Sequence, residues 1–161
     1  MQSHLLHSFG FNRIYVHMLM KDVPDPRLAE QPEGIRNHGA WNLGHILYSL
    51  DFARQLAGID PDPNPVPSEL FSMGSTPSDD RSLYPSKQQL LDKLDAAHET
   101  MTPAIASMGA SAQSVANPSE EFRQVMPTVG DALAFLTTSH YGLHLGELAV
   151  WRKAIGFSQV I

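Results

Sequence analysis

Apolar positions along the chain fall into helical stripes, with no strand-like alternation of useful length. Leu5, Phe9, Asn12, Val16 and Leu19 step by four, three, four and three, the spacing of one buried helical face. A first helix is therefore expected from about Ser3 to Met20, ending before Val23-Pro24-Asp25-Pro26. A second is expected from about Asn37 to Ala57, with Gly58 as its stop and His38, Trp41, His45, Tyr48 and Phe52 as its stripe. The third starts after Ser86, a good N-cap, and carries Leu91, Leu94, His98, Met101 and Ile105 to about Met108, with Pro103 inside the pattern as an expected kink. The fourth opens at Thr128-Val129-Gly130-Asp131, where a Thr cap is followed by a carboxylate three residues on, and runs to Ile155 before Gly156.

Between the second and third helices, Asp60-Pro61-Asp62-Pro63-Asn64-Pro65-Val66-Pro67 cannot continue a helix and reads as an extended crossover. Ser68-Glu69-Leu70-Phe71 is expected to form one short turn within it, and residues 109–127 a further polar connection. A crossover this long is usually packed across the fold or functional. The natural solution for four such helices is a single all-α domain over residues 1–161, a four-helix bundle with long crossover connections.

The stripes also carry the candidate chemistry. His140 and His144 are four residues apart, which places both imidazoles on one side of a helix, one turn apart. With eight histidines in 161 residues, roughly 0.4 such pairs would arise by chance, so the pair alone is weak. The faces add weight. His45 lies between Trp41 and Tyr48, and Leu136, His140, Leu143, Glu147 and Trp151 form a register that turns His140 inward with His144 beside the seam. Several imidazoles facing one core imply mutual partners or an ion. Three imidazoles from two helices leave coordination positions open, as in catalytic metal sites. The alternative is a set of core histidines bonded to carbonyls or Tyr. Glu147 has three readings: a further ligand, an acceptor that orients an imidazole, or an exposed charge. His38 lies two turns from His45, too far to share an ion, and serves either as a proton carrier at the pocket mouth or as a helix-end residue. His98 has a place on a core stripe, whereas His4, His7 and His17 read as surface or flanking residues. Trp41 and Trp151 read as packing residues, and Gly44 and Gly146 as close approaches or room for substrate.

Composition narrows the function. The chain has 11 Lys plus Arg against 17 Asp plus Glu, a formal charge of −6, and no basic run, so nucleic acid is not an expected partner. It has no cysteine, which excludes disulfides, thiolate ligands and a Cys nucleophile. A tight transition-metal site must then use His and carboxylate. No secretory leader is seen in Met1 to Gly10 and no apolar run approaches membrane-spanning length, so a cytoplasmic location is expected.

Asn37-His38-Gly39-Ala40-Trp41-Asn42-Leu43-Gly44-His45-Ile46, His140-Tyr141-Gly142-Leu143-His144-Leu145-Gly146-Glu147-Leu148 and the ending Ala149-Val150-Trp151-Arg152-Lys153-Ala154-Ile155-Gly156 resemble the DinB/YfiT-like family of metal-binding four-helix proteins. The resemblance in helix number and order covers most of the chain; its specific residues sit on the second and fourth helices. It implies an up-down-down-up bundle, often a homodimer, holding a divalent ion such as zinc or nickel through His45, His140 and His144. Many relatives have Gln at the position of Glu147. It further implies a small-molecule substrate and, from thiol-dependent transferases and an isomerase of the wider superfamily, a low-molecular-weight thiol. The expected function is an enzyme in which the ion activates a thiol or water against a small electrophile, with Glu147 or His38 handling protons. The rival is a non-enzymatic metal-binding or stress-related module, and a third reading is a bundle whose dimer interface is its function.

Overall fold

The computed structural model describes residues 2–161; Met1, where the expected domain and the reading of its N-terminus begin, lies outside the described residues. The chain is all-helical. Its elements are α1 (Gln2–Met20), α2 (Gly39–Leu56), α3 (Ser68–Phe71), α4 (Lys87–Ser107), α5 (Ala110–Gln113), α6 (Val129–Ala134), a π-helical segment (Phe135–His140) and α7 (Tyr141–Ala154). Short 3-10 turns at Asp25–Arg27 and Arg81–Leu83 punctuate the connections. No helix among the described residues is long and apolar enough to cross a membrane.

Local chemistry sets the helix ends. Ser86 caps α4 reciprocally with Gln89, and Thr128 caps α6 reciprocally with Asp131, so the first orphan N–H groups are bonded at both starts. Gly58 and Gly156 take φ of +74° and +92° just beyond α2 and α7, the left-handed conformation that glycine adopts at least cost. Pro103 does not end α4, which continues on to Ser107; the proline lies on the exposed side.

α1 packs against α4 and α7, and α2 packs against the same two helices. The four long elements thus enclose one apolar core, in which Phe9, Leu19, Leu43, Ile46, Leu94, Tyr141 and Trp151 are fully or almost fully buried. α2 is covered most completely: every residue from Gly39 to Leu47 is buried. It is covered because the crossover folds back over it. α3 seats the Phe71 ring against Gly44, where a Cβ would stand 2.1 Å from the ring. Trp41 Nε1 donates to Ser75 Oγ at 2.9 Å, and His38 Nε2 donates to the Ser78 carbonyl at 2.9 Å.

The last long helix departs from a uniform α-helix. Over Phe135–His140 it widens to a π-turn, which takes up an additional residue relative to α geometry. Thr137 Oγ1 donates back to the Leu133 carbonyl at 2.7 Å, and Thr138 Oγ1 donates to that of Ala134. From α1, the buried Asn12 donates Nδ2 to the Thr137 carbonyl at 3.1 Å and to that of Thr138 at 3.5 Å. Side chains thereby engage the carbonyls around the widened turn. The buried face consequently runs through Leu133, Thr137, Tyr141, His144, Leu148 and Trp151. Leu143, which an unbroken α register turns inward, is 59% exposed.

Candidate metal centre

His45 from the middle of α2, His140 from the end of the π-segment and His144 one turn into α7 converge. One ligand nitrogen from each lies within 4.8 Å of the others. Their ring centroids are 4.6 Å (His45–His144), 4.7 Å (His140–His144) and 5.2 Å (His45–His140) apart. His45 and His144 are buried, while His140 is half-buried at the rim. The in-or-out assignment read from the sequence is thus reversed: His144 lies in the seam and His140 beside it, because the π-turn that ends at His140 shifts the register of α7 relative to α6.

Hydrogen bonds fix two of the three tautomers. His45 Nδ1 is 2.6 Å from the Phe71 carbonyl, which can only accept, so Nδ1 carries the proton and donates. Asn42 Nδ2 donates to the carbonyls of Asn37 and His38, at 3.1 and 3.4 Å, which fixes its Oδ1 as an acceptor. That oxygen lies 3.0 Å from His144 Nδ1, and Glu147 Oε2 lies 3.2 Å from the same nitrogen. His144 Nδ1–H therefore donates to two acceptors. Both rings keep the Nε2 lone pair for a cation, which is how histidine ligands are usually oriented. Trp41 stacks on His45 with centroids 4.6 Å apart and planes within 9°, holding the ring flat.

Electrostatics favour the neutral, coordinating form. Burial pushes the His140 imidazole down to about 4, and the neighbouring His144 and His45 add to the shift. His45 is lowered mainly by burial as well, against the opposing pull of the Phe71 carbonyl. Glu147 is held below the usual carboxylate range chiefly by its bond to His144; Asn37 Nδ2, donating at 3.1 Å, assists. Three imidazoles, with one carboxylate behind them, form a donor set suited to a divalent transition metal. Ligands on a tetrahedral ion would stand about 3.4 Å apart, within reach of small side-chain rotations.

Glu147 accepts from His144 and Asn37 and is 36% exposed on its outer side. His38 is fully buried and both nitrogens are engaged, Nδ1 accepting from the Trp41 amide at the start of α2 and Nε2–H donating to Ser78. This is the helix-end reading, and burial lowers its basicity. His98 stacks on Phe9 at 3.7 Å with Nε2 3.4 Å from Tyr141 Oη, apart from the three-histidine group. Gly44 is a close approach to Phe71, whereas Gly146 has open space where a Cβ would stand.

The cluster opens on a cavity of about 650 Å³ in whose wall His45 and His140 stand. The residues across from them, including Ser72, Met73, Asn117, Phe122 and Met126, come from the two connections: the crossover, expected to pack across the fold or to be functional, and the polar connection over residues 109–127. Phe122 and Met126 were the available signal: apolar residues in an otherwise polar stretch. Asn117, 1% exposed, ties that connection down through Met126 and the Ala116–Thr128 bridge.

A helical bundle with a three-histidine group on its second and last long helices defines a class of candidate metal-binding proteins. The chain belongs to the DinB superfamily, whose sequence pattern matches residues 9–148. Its fold is similar to the crystal structure of a conserved protein from Enterococcus faecalis, with a TM-score of 0.77, 98% of each chain covered and 16% identity. Among curated proteins, none matches the chain.

Proposed function

We propose that His45, His140 and His144 hold a divalent ion, zinc or nickel, and that the protein is an enzyme acting on a small electrophile with a low-molecular-weight thiol or water as co-reactant. The observation that carries this reading is the cavity beside His45 and His140; a storage or sensing module has no need of a chamber beside its ligands. When bound, the ion supplies Lewis acidity, lowering the pKa of a thiol or water to near neutrality. The chain's own residues do the rest. Phe71 O, Asn42 and Glu147 hold two imidazoles with Nε2 presented, and Trp41 fixes the plane of His45. Glu147 acts through His144 rather than on the substrate, strengthening it as a donor. His38 stabilises the start of α2 and the crossover above it. The lack of cysteine means that any thiol in the reaction arrives from solution.

The test begins with metal analysis of protein purified without added metal, where one equivalent of a divalent ion is expected, lost in His144→Ala with helical circular dichroism retained. A panel of electrophiles is then offered with and without a small thiol. Consumption that needs metal and thiol together, and fails in His45→Ala, supports transfer; equal turnover without thiol replaces transfer by hydrolysis. Protein that takes up no divalent ion refutes the reading altogether.

A further inference from the structure

The chemistry of the cavity wall restricts what can enter it. Beyond the two histidines, the wall is dominated by Phe52, Phe122, Phe135, Met73, Met126 and Leu136. Its volume, about 650 Å³, is that of a site for a drug-sized molecule. Flat rings and flexible thioethers suit aromatic or similarly flat ligands. No lysine or arginine is among the described residues that line it; the one formal charge there is the carboxylate of Asp51, which is fixed by accepting from the Asp62 amide at 2.7 Å. Arg123, next in sequence to Phe122, is exposed and donates its Nε to the Asn117 carbonyl. An anion in the cavity would lose water, face Asp51 and gain no cationic side chain. The cationic side chains of the groove between α1 and α4 lie elsewhere and are largely engaged: Arg13 and His17 pair with Asp95, and Lys87 Nζ donates to the Met20 and Val23 carbonyls.

We propose that the cavity beside His45 and His140 takes an uncharged, predominantly apolar molecule bearing an aromatic or comparably flat ring, and that its side-chain wall, apart from any ion on the histidines, selects against anions. As a substrate assignment this rests on the reading of the histidines as the reactive centre. Ser49 and Ser72 on the wall offer hydroxyls to one or two neutral polar groups. A thiol carrying several carboxylates would not share this wall, so the electrophile occupies it.

The preference is tested on protein stripped of metal with a chelator, so that it does not depend on the ion. N-phenyl-1-naphthylamine, a neutral dye that brightens in apolar sites, is expected to bind saturably at one site. 1-Naphthol should displace it at concentrations at least tenfold lower than naphthalene-1-sulfonate does; reading displacement keeps sulfonate bound elsewhere on the surface from entering the comparison. Phe135→Asp and Met73→Asp, at positions 39% and 71% exposed, should each weaken the dye at least tenfold with circular dichroism unchanged. Val125→Asp, 76% exposed and outside the wall, should stay within twofold. Equal or better displacement by the sulfonate, or dye binding indifferent to both wall variants, overturns the proposal. Ni²⁺ then locates the site: bound at the histidines it should quench the dye, while Zn²⁺ should not. Ni²⁺ that binds without quenching overturns the placement beside the histidines. Ni²⁺ that fails to bind, with the dye results as expected, removes the metal reading and leaves the preference for neutral ligands supported.

Discussion

Replacing Asn12 by Leu keeps the side-chain volume and removes the donor that α1 sends to the π-segment. The Thr137 and Thr138 carbonyls lose the Nδ2 that stands 3.1 and 3.5 Å away, in a place where Asn12 is 9% exposed and Thr137 fully buried. An unpaired buried carbonyl costs about 1–3 kcal/mol, and the π-turn has the poorer intrinsic geometry, so the segment is expected to relax towards α. Absorbing the additional residue turns everything on one side of it by about 100° and moves a Cα on a 2.3 Å cylinder sideways by roughly 3.5 Å. His140 ends the π-segment and His144 follows in α7, so a rotation of that side carries both away from His45. Zinc affinity, measured by competition with a chromogenic chelator, should fall about 10- to 100-fold, the range found when a partner that orients a ligand is lost. Urea denaturation should show the loss of about 1–3 kcal/mol alongside it. Leu19→Ala is the control: also on α1, 1% exposed, it should cost about 2–5 kcal/mol and leave zinc affinity within twofold. If Asn12→Leu loses stability but binds zinc as tightly as the parent, Asn12 is a core residue only and the π-turn does not place His140.

Three further outcomes are expected. His98 takes up a proton only below about pH 4 because it is buried, with Arg13 adding to the shift, whereas an unfolded imidazole titrates near 6.5; the stability it contributes is complete above pH 6.5 and is lost as pH falls towards 4. His98→Gln should therefore flatten the pH dependence of unfolding free energy across that window by up to about 3 kcal/mol, and an unchanged slope in urea titrations would contradict this. Gly44→Ala drives a methyl to 2.1 Å from the Phe71 ring, so the crossover must lift; a loss of about 1–3 kcal/mol with faster amide exchange over residues 68–75 is expected, and unchanged exchange would show that α2 yields instead. Glu147→Gln keeps the shape of the His144 acceptor and removes its charge, and should weaken zinc about tenfold without changing the ion's stoichiometry; a lost equivalent of metal would make Glu147 a ligand.

The four long helices were legible because each carries an unbroken stripe or a strong end signal. Phe9, Asn12, Val16 and Leu19 are all buried as their spacing requires, and Ser86 and Thr128 cap where they stand in sequence. The three histidines were legible as a group because their residue type on a helical face is unusual. Their relative depth was not, since a π-turn has no local sequence signature and is recognised only once Asn12, 125 residues from Thr137, is known to face it. Tyr48 shows a second limit: it continues the α2 stripe but is 38% exposed, because the stripe passes from the core to the edge of the cavity. The cavity wall was illegible for a related reason. It is assembled from connections whose periodicity is irregular and whose path depends on what they lie against.

The oxygen that orients His45 belongs to the main chain of residue 71. A peptide carbonyl is present whatever the side chain, so drift in the neighbouring crossover sequence does not endanger the ligand so long as the backbone keeps its course, and Phe71 seated on Gly44 maintains that course. Ser72 and Met73, directly beyond, belong to the cavity wall. Descendants of this protein can thus exchange those two side chains, and with them the range of molecules admitted, while inheriting the histidines intact. Selection for new specificity and selection for the centre act here on different atoms of the same stretch of chain.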